Sequence, residues 1–348
     1  MIPIETREKK TIAIHVARTD AKGTYPARRA AILASVLSEE ANVVFLTGPA
    51  SPPVPEGFRE ISIGRNTTLS DTISVMQPDL LLRDSGSTLQ EEVAKIREVV
   101  PSIIHFDDFG DGGRLADLVL QTLYEEESEN VMEHYVMERN LFIADETFNS
   151  YQKIGLQKDR PSPIPHLIIS FGEEDPGNLS YRALRHVLQL QIPLKVSVLV
   201  GELYSHDIST LRMMALGRRN TKIIQPPYDV AELYSRADII LCGSGYMPYE
   251  VAVMGIPCIV LAQNEFELGL GFPKEHHGFI HLGLGRKVKQ SNLLNAIMEP
   301  LLHEPLRKRA IRKQTQLNLG NGKDTVLEAI RYLLEYPKRD KAMSDMLH

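Results

Sequence analysis

The stretch DIILCGSGYMPYEVAVMGIPCIVLA, residues 238–262, joins two apolar runs through a glycine-flanked turn and a short apolar helical segment. The runs at 238–243 and 257–262 are short and bounded by turn residues, which favours strands. The segment between them ends at Gly-Ile-Pro, a typical helix stop. The order strand, helix, strand predicts a βαβ unit in a parallel sheet that is buried on both faces.

The same alternation runs along the chain in two series, separated by the proline-rich segment RPSPIPH at 160–166. Prolines cannot extend a helix or sit in a central strand, so this segment suits a linker. We predict an α/β protein with two Rossmann-like, doubly wound domains facing across a cleft. The first domain covers 1–155 and the second 156–336, whose last helix is able to cross back over the first; 337–348 form a polar tail. The predicted strands are TIAIHV (11–16), NVVFLT (42–47), DLLLRD (79–84), SIIHF (102–106), DLVL (117–120), LFIA (141–144), HLIISF (166–171), LKVSVLVG (194–201), TKIIQP (221–226), DIILCG (238–243) and PCIVLA (257–262).

Composition excludes several functional classes. The chain has 348 residues with 43% hydrophobic and 24% charged residues, as in folded globular proteins. A net charge of -6 gives no general attraction to nucleic acid or anionic lipid. No apolar run is long enough to span a membrane and the N-terminus lacks a secretion signal, so a cytoplasmic location is expected. No metal-ligand spacing or cofactor fingerprint occurs, so neither is expected, and both cysteines are expected to be buried and reduced.

The loops after the strands are the places to look for function, because ligands bind beyond the carboxyl ends of parallel strands. Gly243 and Gly245 permit a tight turn, and the following helix directs free N–H groups at whatever occupies it. Glu250, one turn into that helix, could accept two ribose hydroxyls or merely complement the helix dipole. Taken alone, an ordinary strand-to-helix turn is the commoner interpretation of this pattern.

Three other loops carry polar candidates. FGEEDPGNLS (171–180) follows a strand, and its three acidic residues disfavour a diphosphate unless they point away. HFDDFGDGG (105–113) places Asp107 and Asp108 at a strand end, where a carboxylate could act as a base, bind magnesium or cap its own loop. Arg29, in RTDAKGTYPARR (18–29), could clamp a phosphate or remain in solvent.

In this order, the segments resemble a known family. HLIISFGEEDPGNLSYRAL and ELYSRADIILCGSGYMPYEVAVMGIPCIVLAQNEFE are similar to the donor-binding half of spore-coat polysaccharide biosynthesis proteins of the SpsG type and related UDP-sugar hydrolases of the pseudaminic acid pathway. SIIHFDDFGDGGRLADLVL and ERNLFIADETF resemble first-half segments of the same family. The resemblance covers about residues 11–336 and implies a GT-B-like architecture, related to MurG-type glycosyltransferases.

The resemblance also implies site residues. It places Glu250 on the ribose of a UDP-sugar and the turn residues Gly243, Ser244, Gly245 and Tyr246 on the diphosphate. It places Gly172 across the cleft mouth, and the sugar or phosphate side then includes Gly23, Arg29 and Asn264. Under this scheme Asp108 is the candidate catalytic base, and no metal takes part.

This chain departs from the family at several positions. The hydrolytic His of the family loop is replaced by Pro26, which cannot transfer a proton; Glu173 and Glu174 replace a Gly and a Ser, and Glu267 stands where the family has Gln. We therefore expect a UDP-sugar processing protein of surface or spore-coat polysaccharide biosynthesis that cleaves the anomeric bond to UDP, in water or with an acceptor. Two alternatives are a glycosyltransferase with a distinct acceptor and a catalytically degenerate scaffold subunit that supports a partner enzyme. The sequence leaves the sugar and the oligomeric state open.

Overall fold

A computed structural model gives the fold of the chain and describes residues 9–17, 23–124, 132–158 and 162–337. The contacts divide these residues into two units. Unit 1 holds the described residues up to Thr122, those from 132 to Ile143 and those from Asn321 onward; unit 2 holds the described residues Leu123–Tyr124 and Ala144–Gly320.

The described residues form two parallel sheets with helices between the strands, so the predicted α/β class with two Rossmann-like units is confirmed. The strands are β1 (Thr11–Val16), β2 (Asn42–Thr47), β3 (Arg59–Ser62), β4 (Leu80–Asp84), β5 (Ser102–Phe106), β6 (Leu118–Gln121), β7 (Tyr135–Met137), β8 (His166–Ser170), β9 (Lys195–Leu199), β10 (Thr221–Ile224), β11 (Ile239–Cys242), β12 (Cys258–Ala262) and β13 (Phe279–Leu284). The helices are α1 (Tyr25–Leu37), α2 (Leu69–Met76), α3 (Gln90–Arg97), α4 (Glu146–Ser150), α5 (Leu179–Val187), α6 (Ile208–Ala215), α7 (Val230–Ser235), α8 (Met247–Met254), α9 (Glu265–Gly269), α10 (Gln290–Leu302), α11 (Glu304–Thr315) and α12 (Gly322–Glu335).

Unit 1 contains a seven-stranded sheet in the order β3-β2-β1-β4-β5-β6-β7. Its central strands β1, β4 and β5 are buried and mostly apolar because helices cover both faces. Helix α12 closes one face: Val326, Ile330 and Leu333 are buried in the same cluster as residues of β1, β4 and β5. The strand order reverses between β1 and β4, and such a switch point is where doubly wound sheets bind ligands.

Unit 2 contains a six-stranded sheet in the order β10-β9-β8-β11-β12-β13, which reverses between β8 and β11. Its core includes Leu167 and Ile169 from β8, Leu241 from β11 and Ile259 from β12, all fully buried. The βαβ unit predicted for 238–262 is present as β11, α8 and β12. The two strands pair in parallel, with Ile240 opposite Cys258.

One predicted strand is absent from the structure, and three strands of the structure were not predicted. LFIA at 141–144 is not a strand, because Ile143 donates its N–H to the Tyr25 hydroxyl at 2.8 Å instead of to a neighbouring strand. The sequence prediction omitted the edge strands β3 and β13, whose half-exposed residues lack a long apolar run. Strand β7, which was also not predicted, pairs with β6 a few residues before LFIA.

The domain limits at 155/156 and 336/337 remain predictions. The contact-based units differ from them by assigning 144–155 to unit 2 and α12 to unit 1. Of the predicted polar tail, all but residue 337 lies outside the described residues, as does Pro161 of the linker. Among the helices that the structure describes, none is long and apolar enough to cross a membrane.

Candidate functional site

The switch point of the second sheet brings two predicted loops together. Ser170 at the end of β8 is paired with Cys242 at the end of β11, so the loops that follow begin side by side. Gly172 has a φ of +81°, a conformation that favours glycine. The Met247 side chain lies against both loops. Its Cε atom is 4.0 Å from the place where a Cβ atom on residue 172 would stand, and 3.0 Å from the place where a Cβ atom on residue 243 would stand.

The turn between β11 and α8 is buried. Ser244 is 0% exposed and Tyr246 is 5% exposed. Helix α8 begins at Met247 with Pro248 in its first turn, and no side chain caps the helix from its N-cap residue Tyr246. Gly283 donates its N–H to His281 Nδ1, so His281 Nε2 carries the proton and donates to Ser244 Oγ at 3.4 Å. The main-chain N–H groups of this turn lie at the N-terminus of α8, which is a favourable position for an anion.

A carboxylate of the protein itself already reaches this turn. Glu267 Oε2 accepts the N–H groups of Ser244 at 3.0 Å and Gln263 at 2.9 Å, and Gln263 Nε2 lies 3.4 Å from the other carboxylate oxygen. Glu267 is 4% exposed. Burial raises the pKa of Glu267 above its ordinary value, although these hydrogen bonds act in the opposite direction. The turn thus holds one internal negative group.

Asn264, predicted on the sugar or phosphate side, caps a helix. Its Oδ1 accepts the N–H of Glu267 at 2.9 Å as the N-cap residue of α9. Asn264 therefore helps to place the Glu267 carboxylate. Its predicted ligand contact remains a prediction.

Two of the three acids in the loop after β8 are engaged within unit 2. Glu173 Oε2 accepts the Glu202 N–H at 3.0 Å. Asp175 is 1% exposed, and its carboxylate accepts the N–H groups of Leu179 and Ser180 at the start of α5. Burial raises the pKa of Asp175. Asp175 thus holds its own loop at the start of α5, and Glu173 joins that loop to the loop after β9, so both carboxylates already have main-chain partners.

Glu250 lies in α8 and is 3% exposed. Burial raises the pKa of Tyr234 well above its ordinary value, and the nearby Glu250 carboxylate raises it further. The Glu250 carboxylate is therefore close enough to Tyr234 to act on it electrostatically. Its role on ribose hydroxyls remains a prediction.

In unit 1, Arg29 is a buried structural cation in this structure. It is 1% exposed and forms ion pairs with Asp84 and with Asp107 at 2.9 Å. Its guanidinium also lies over the rings of Phe106, at 4.5 Å, and Tyr25, at 5.0 Å. Two carboxylates already meet the buried guanidinium, so the alternative that Arg29 remains in solvent is wrong, and its phosphate contact remains a prediction.

Asp108 has different partners from its neighbour Asp107, whose carboxylate accepts from Arg29 and from the Thr122 N–H. Its carboxylate accepts four hydrogen bonds, from Thr88 N at 2.9 Å, Thr88 Oγ1 at 2.6 Å, Gly110 N at 2.9 Å and His105 Nδ1 at 2.6 Å. Burial alone would raise the pKa of Asp108, but the bonds from His105, Thr88 and Gly110 lower it overall. The contacts are those of a carboxylate that joins its own loop to the loop after β4, and its catalytic role remains a prediction.

The other family loop in unit 1 begins at Gly23, which has a φ of +58° and is exposed. Residues 18–22 before it lie outside the described part of the chain. Pro26 is buried in the first turn of α1, and Tyr25 stacks on Phe142 with ring centroids 5.0 Å apart. The proline at this position is thus a helix-start residue packed in the core.

Sequence reasoning missed His105, His281 and Gln263. The spacing of His105 and Asp108, three residues apart across a strand end, is the one local signal that could have indicated His105.

Within the described ranges, no group of three or more His, Cys, Asp or Glu side chains could hold a metal ion. Cys242 and Cys258 are buried free thiols with sulfur atoms 3.5 Å apart.

Comparison with known proteins gives two relatives by sequence. The chain is 24% identical over 285 residues to an uncharacterized protein of Methanocaldococcus jannaschii, covering 79% of this chain and 55% of that one. It is 26% identical over 144 residues to the spore coat polysaccharide biosynthesis protein SpsG of Bacillus subtilis, covering 41% of this chain and 42% of that one. The chain thus matches about half the length of these relatives. No model of a known protein family matches it.

Solved structures resemble the chain over nearly its full length. MurG of Acinetobacter baumannii has a TM-score of 0.64 at 17% identity, covering 92% of this chain and 99% of that one. The UDP-GlcNAc 2-epimerase of Neisseria meningitidis, solved with UDP-GlcNAc bound, has a TM-score of 0.60 at 12% identity, with the same coverage. These likenesses establish the fold, which is that of the GT-B glycosyltransferases and the UDP-sugar epimerases.

Proposed function

We propose that this chain processes a UDP-sugar, cleaving the anomeric C–O bond to UDP and passing the sugar to water or to an acceptor. Unit 2 binds the nucleotide, with the diphosphate on the turn Gly243–Tyr246 and the ribose on Glu250. The proposal is supported by the relative named for spore coat polysaccharide biosynthesis and by the fold shared with MurG and an epimerase that binds UDP-GlcNAc. The pathway proposed is surface or spore-coat polysaccharide biosynthesis.

One observation carries the proposal. The glycine turn stands at the switch point of the second sheet, and its backbone leads directly into the N-terminus of α8. Main-chain N–H groups at a helix start, next to a loop with a left-handed glycine, are suited to a diphosphate. The same N–H groups would stabilise the charge that develops on the departing UDP.

The proposal assigns no proton acceptor. Four hydrogen bonds occupy the Asp108 carboxylate, and Pro26 replaces the family His. A positioned base typically contributes about 10² to 10⁴ in rate, so its presence or absence separates an efficient hydrolase from a transferase or a binding subunit.

Calorimetric titration with UDP tests the binding step, and release of UDP from UDP-sugars, with and without candidate acceptors, tests the reaction. Release in water supports a hydrolase, and release only with acceptor supports a transferase. Binding without turnover under either condition indicates a scaffold subunit. No UDP binding at millimolar concentration contradicts the proposal.

A matched pair of variants tests the location. Ser244→Asp adds a negative charge to the turn and should weaken UDP binding by more than tenfold, because like charges in a buried site repel strongly. Ser205→Asp adds the same charge to an exposed loop of unit 2 and should leave binding unchanged. Circular dichroism verifies that both variants are folded. Equal affinity in the two variants would move the ligand away from this turn.

A further inference from the structure

The Glu267 carboxylate occupies the place at the turn where an anionic ligand is expected. Its Oε2 atom accepts the Ser244 N–H at 3.0 Å, directly before α8, and lies 3.5 Å from the position that a Cβ at Gly243 would have. Asn264 fixes the start of α9, and Gln263 contacts the carboxylate through both its main chain and its side chain. A negative group is therefore built into the turn itself.

The surroundings of Glu267 supply hydrogen-bond donors but no formal positive charge among the described contacts. Asp175, from the loop after β8, adds a like charge that raises the pKa of Glu267 beyond the effect of burial. His281, from β13, is neutral at pH 7, because burial lowers its pKa to about 4. Cys242, from β11, is a buried thiol whose pKa burial raises well above its ordinary value. Amide donors alone offset the negative charge of Glu267.

We infer that Glu267 is an internal competitor of the diphosphate, and that the nucleotide binds together with a proton that neutralises this carboxylate. The inference rests on the proposed function. Two negative groups cannot share the Ser244 N–H and its neighbours at low cost, since charges about 4 Å apart in a protein interior repel by several RT. Protonation of Glu267 removes this repulsion and leaves the amides to the ligand.

The direction of the pH effect follows from linkage. A bound diphosphate raises the pKa of Glu267 above its value in the free protein, so binding takes up a proton at any pH between the two values. Within that window the affinity falls as the pH rises, by up to about tenfold per pH unit. Replacing Glu267 with the neutral, nearly isosteric Gln should abolish both the proton uptake and this slope.

The experiment is calorimetric titration of the full chain with UDP-N-acetylglucosamine, whose diphosphate diester keeps its charge across the range, at pH 5.5, 6.5 and 7.5. Two buffers of different ionisation enthalpy report the protons taken up. Glu267→Gln should bind at least tenfold more tightly than the wild type at pH 7.5, with no proton uptake. Glu265→Gln, in the same helix but 65% exposed, is the control and should behave as the wild type.

The outcomes separate this inference from the proposed function. Wild-type binding with no proton uptake, or weaker binding by Glu267→Gln, overturns the inference and leaves the proposed function intact. Binding by Glu267→Gln but not by the wild type supports both. If neither protein binds at millimolar ligand while both are folded, both proposals fail.

Discussion

The Nδ1 atom of His105 and the Oδ2 atom of Asp108 lie 2.6 Å apart, and both side chains are 1% exposed. Because the pKa of Asp108 is lowered, the carboxylate is ionised at neutral pH and His105 must donate through Nδ1. Among the described residues, Nε2 of His105 has no hydrogen-bond partner. Asp108 thus fixes the tautomer of His105 and anchors the loop after β5.

Asp108→Asn should cost at least about 2 kcal/mol of unfolding free energy, because the new amide meets donors at Thr88 and His105. Urea unfolding at pH 7 measures the loss. The control is Glu91→Gln, an exposed change on α3 that should have little effect. Full stability together with abolished turnover would instead make Asp108 the catalytic base.

Arg29→Met should destabilise the protein by about 3 to 5 kcal/mol, because it leaves the carboxylates of Asp84 and Asp107 buried without their cation. Thermal and urea unfolding measure the change, with the exposed Arg65→Met as control. UDP affinity of the folded fraction should stay at the wild-type value. A loss of affinity with unchanged stability would support the phosphate contact predicted from the sequence.

Glu250→Gln should weaken UDP binding by about fivefold if the carboxylate accepts two ribose hydroxyls, because the amide keeps one acceptor oxygen and loses one hydrogen bond worth about 1 kcal/mol. Inorganic pyrophosphate, which has no ribose, separates this role from support of the turn and should bind the variant and the wild type equally. Glu232→Gln, a partly exposed change on the preceding helix, is the control. A parallel loss for pyrophosphate would assign Glu250 to the fold of α8.

The sequence predicted the central strands because parallel strands buried on both faces are continuous apolar runs, as in β4 and β8. Edge strands escape this rule: β3 has the sequence REIS and is largely exposed. LFIA shows the opposite error, since its apolar residues are buried without joining a sheet.

Local chemistry at the site was similarly predictable only in part. The turn after β11 was found because Gly243 and Gly245 lie close together in the sequence, but the carboxylate that accepts the Ser244 N–H, Glu267, lies 23 residues later. Arg29 meets acids 55 and 78 residues away, so a phosphate clamp and a buried ion pair look alike in the sequence. The role of such residues depends on partners that lie far away in the sequence, and a single sequence does not show which residues these are.

The buried His15 side chain should make the unfolding free energy depend on pH. Burial first, and then the charge of Arg83, lower the pKa of His15 to about 3, and burial also lowers that of His105. Such a histidine takes up its proton more readily in the unfolded state. It therefore does not change the unfolding free energy above its unfolded pKa of about 6.5, and it lowers the unfolding free energy as the pH falls below that value.

The unfolding free energy should therefore fall between pH 7 and pH 5 by up to about 1.4 kcal/mol per pH unit for each such histidine. His15→Gln should remove its share of this slope, and urea unfolding at pH 7, 6 and 5 measures it. Asn66→Gln, at an exposed position that carries no titratable group, should leave the slope unchanged. An identical slope in wild type and His15→Gln would mean that His15 takes up its proton as readily in the folded chain as in the unfolded one.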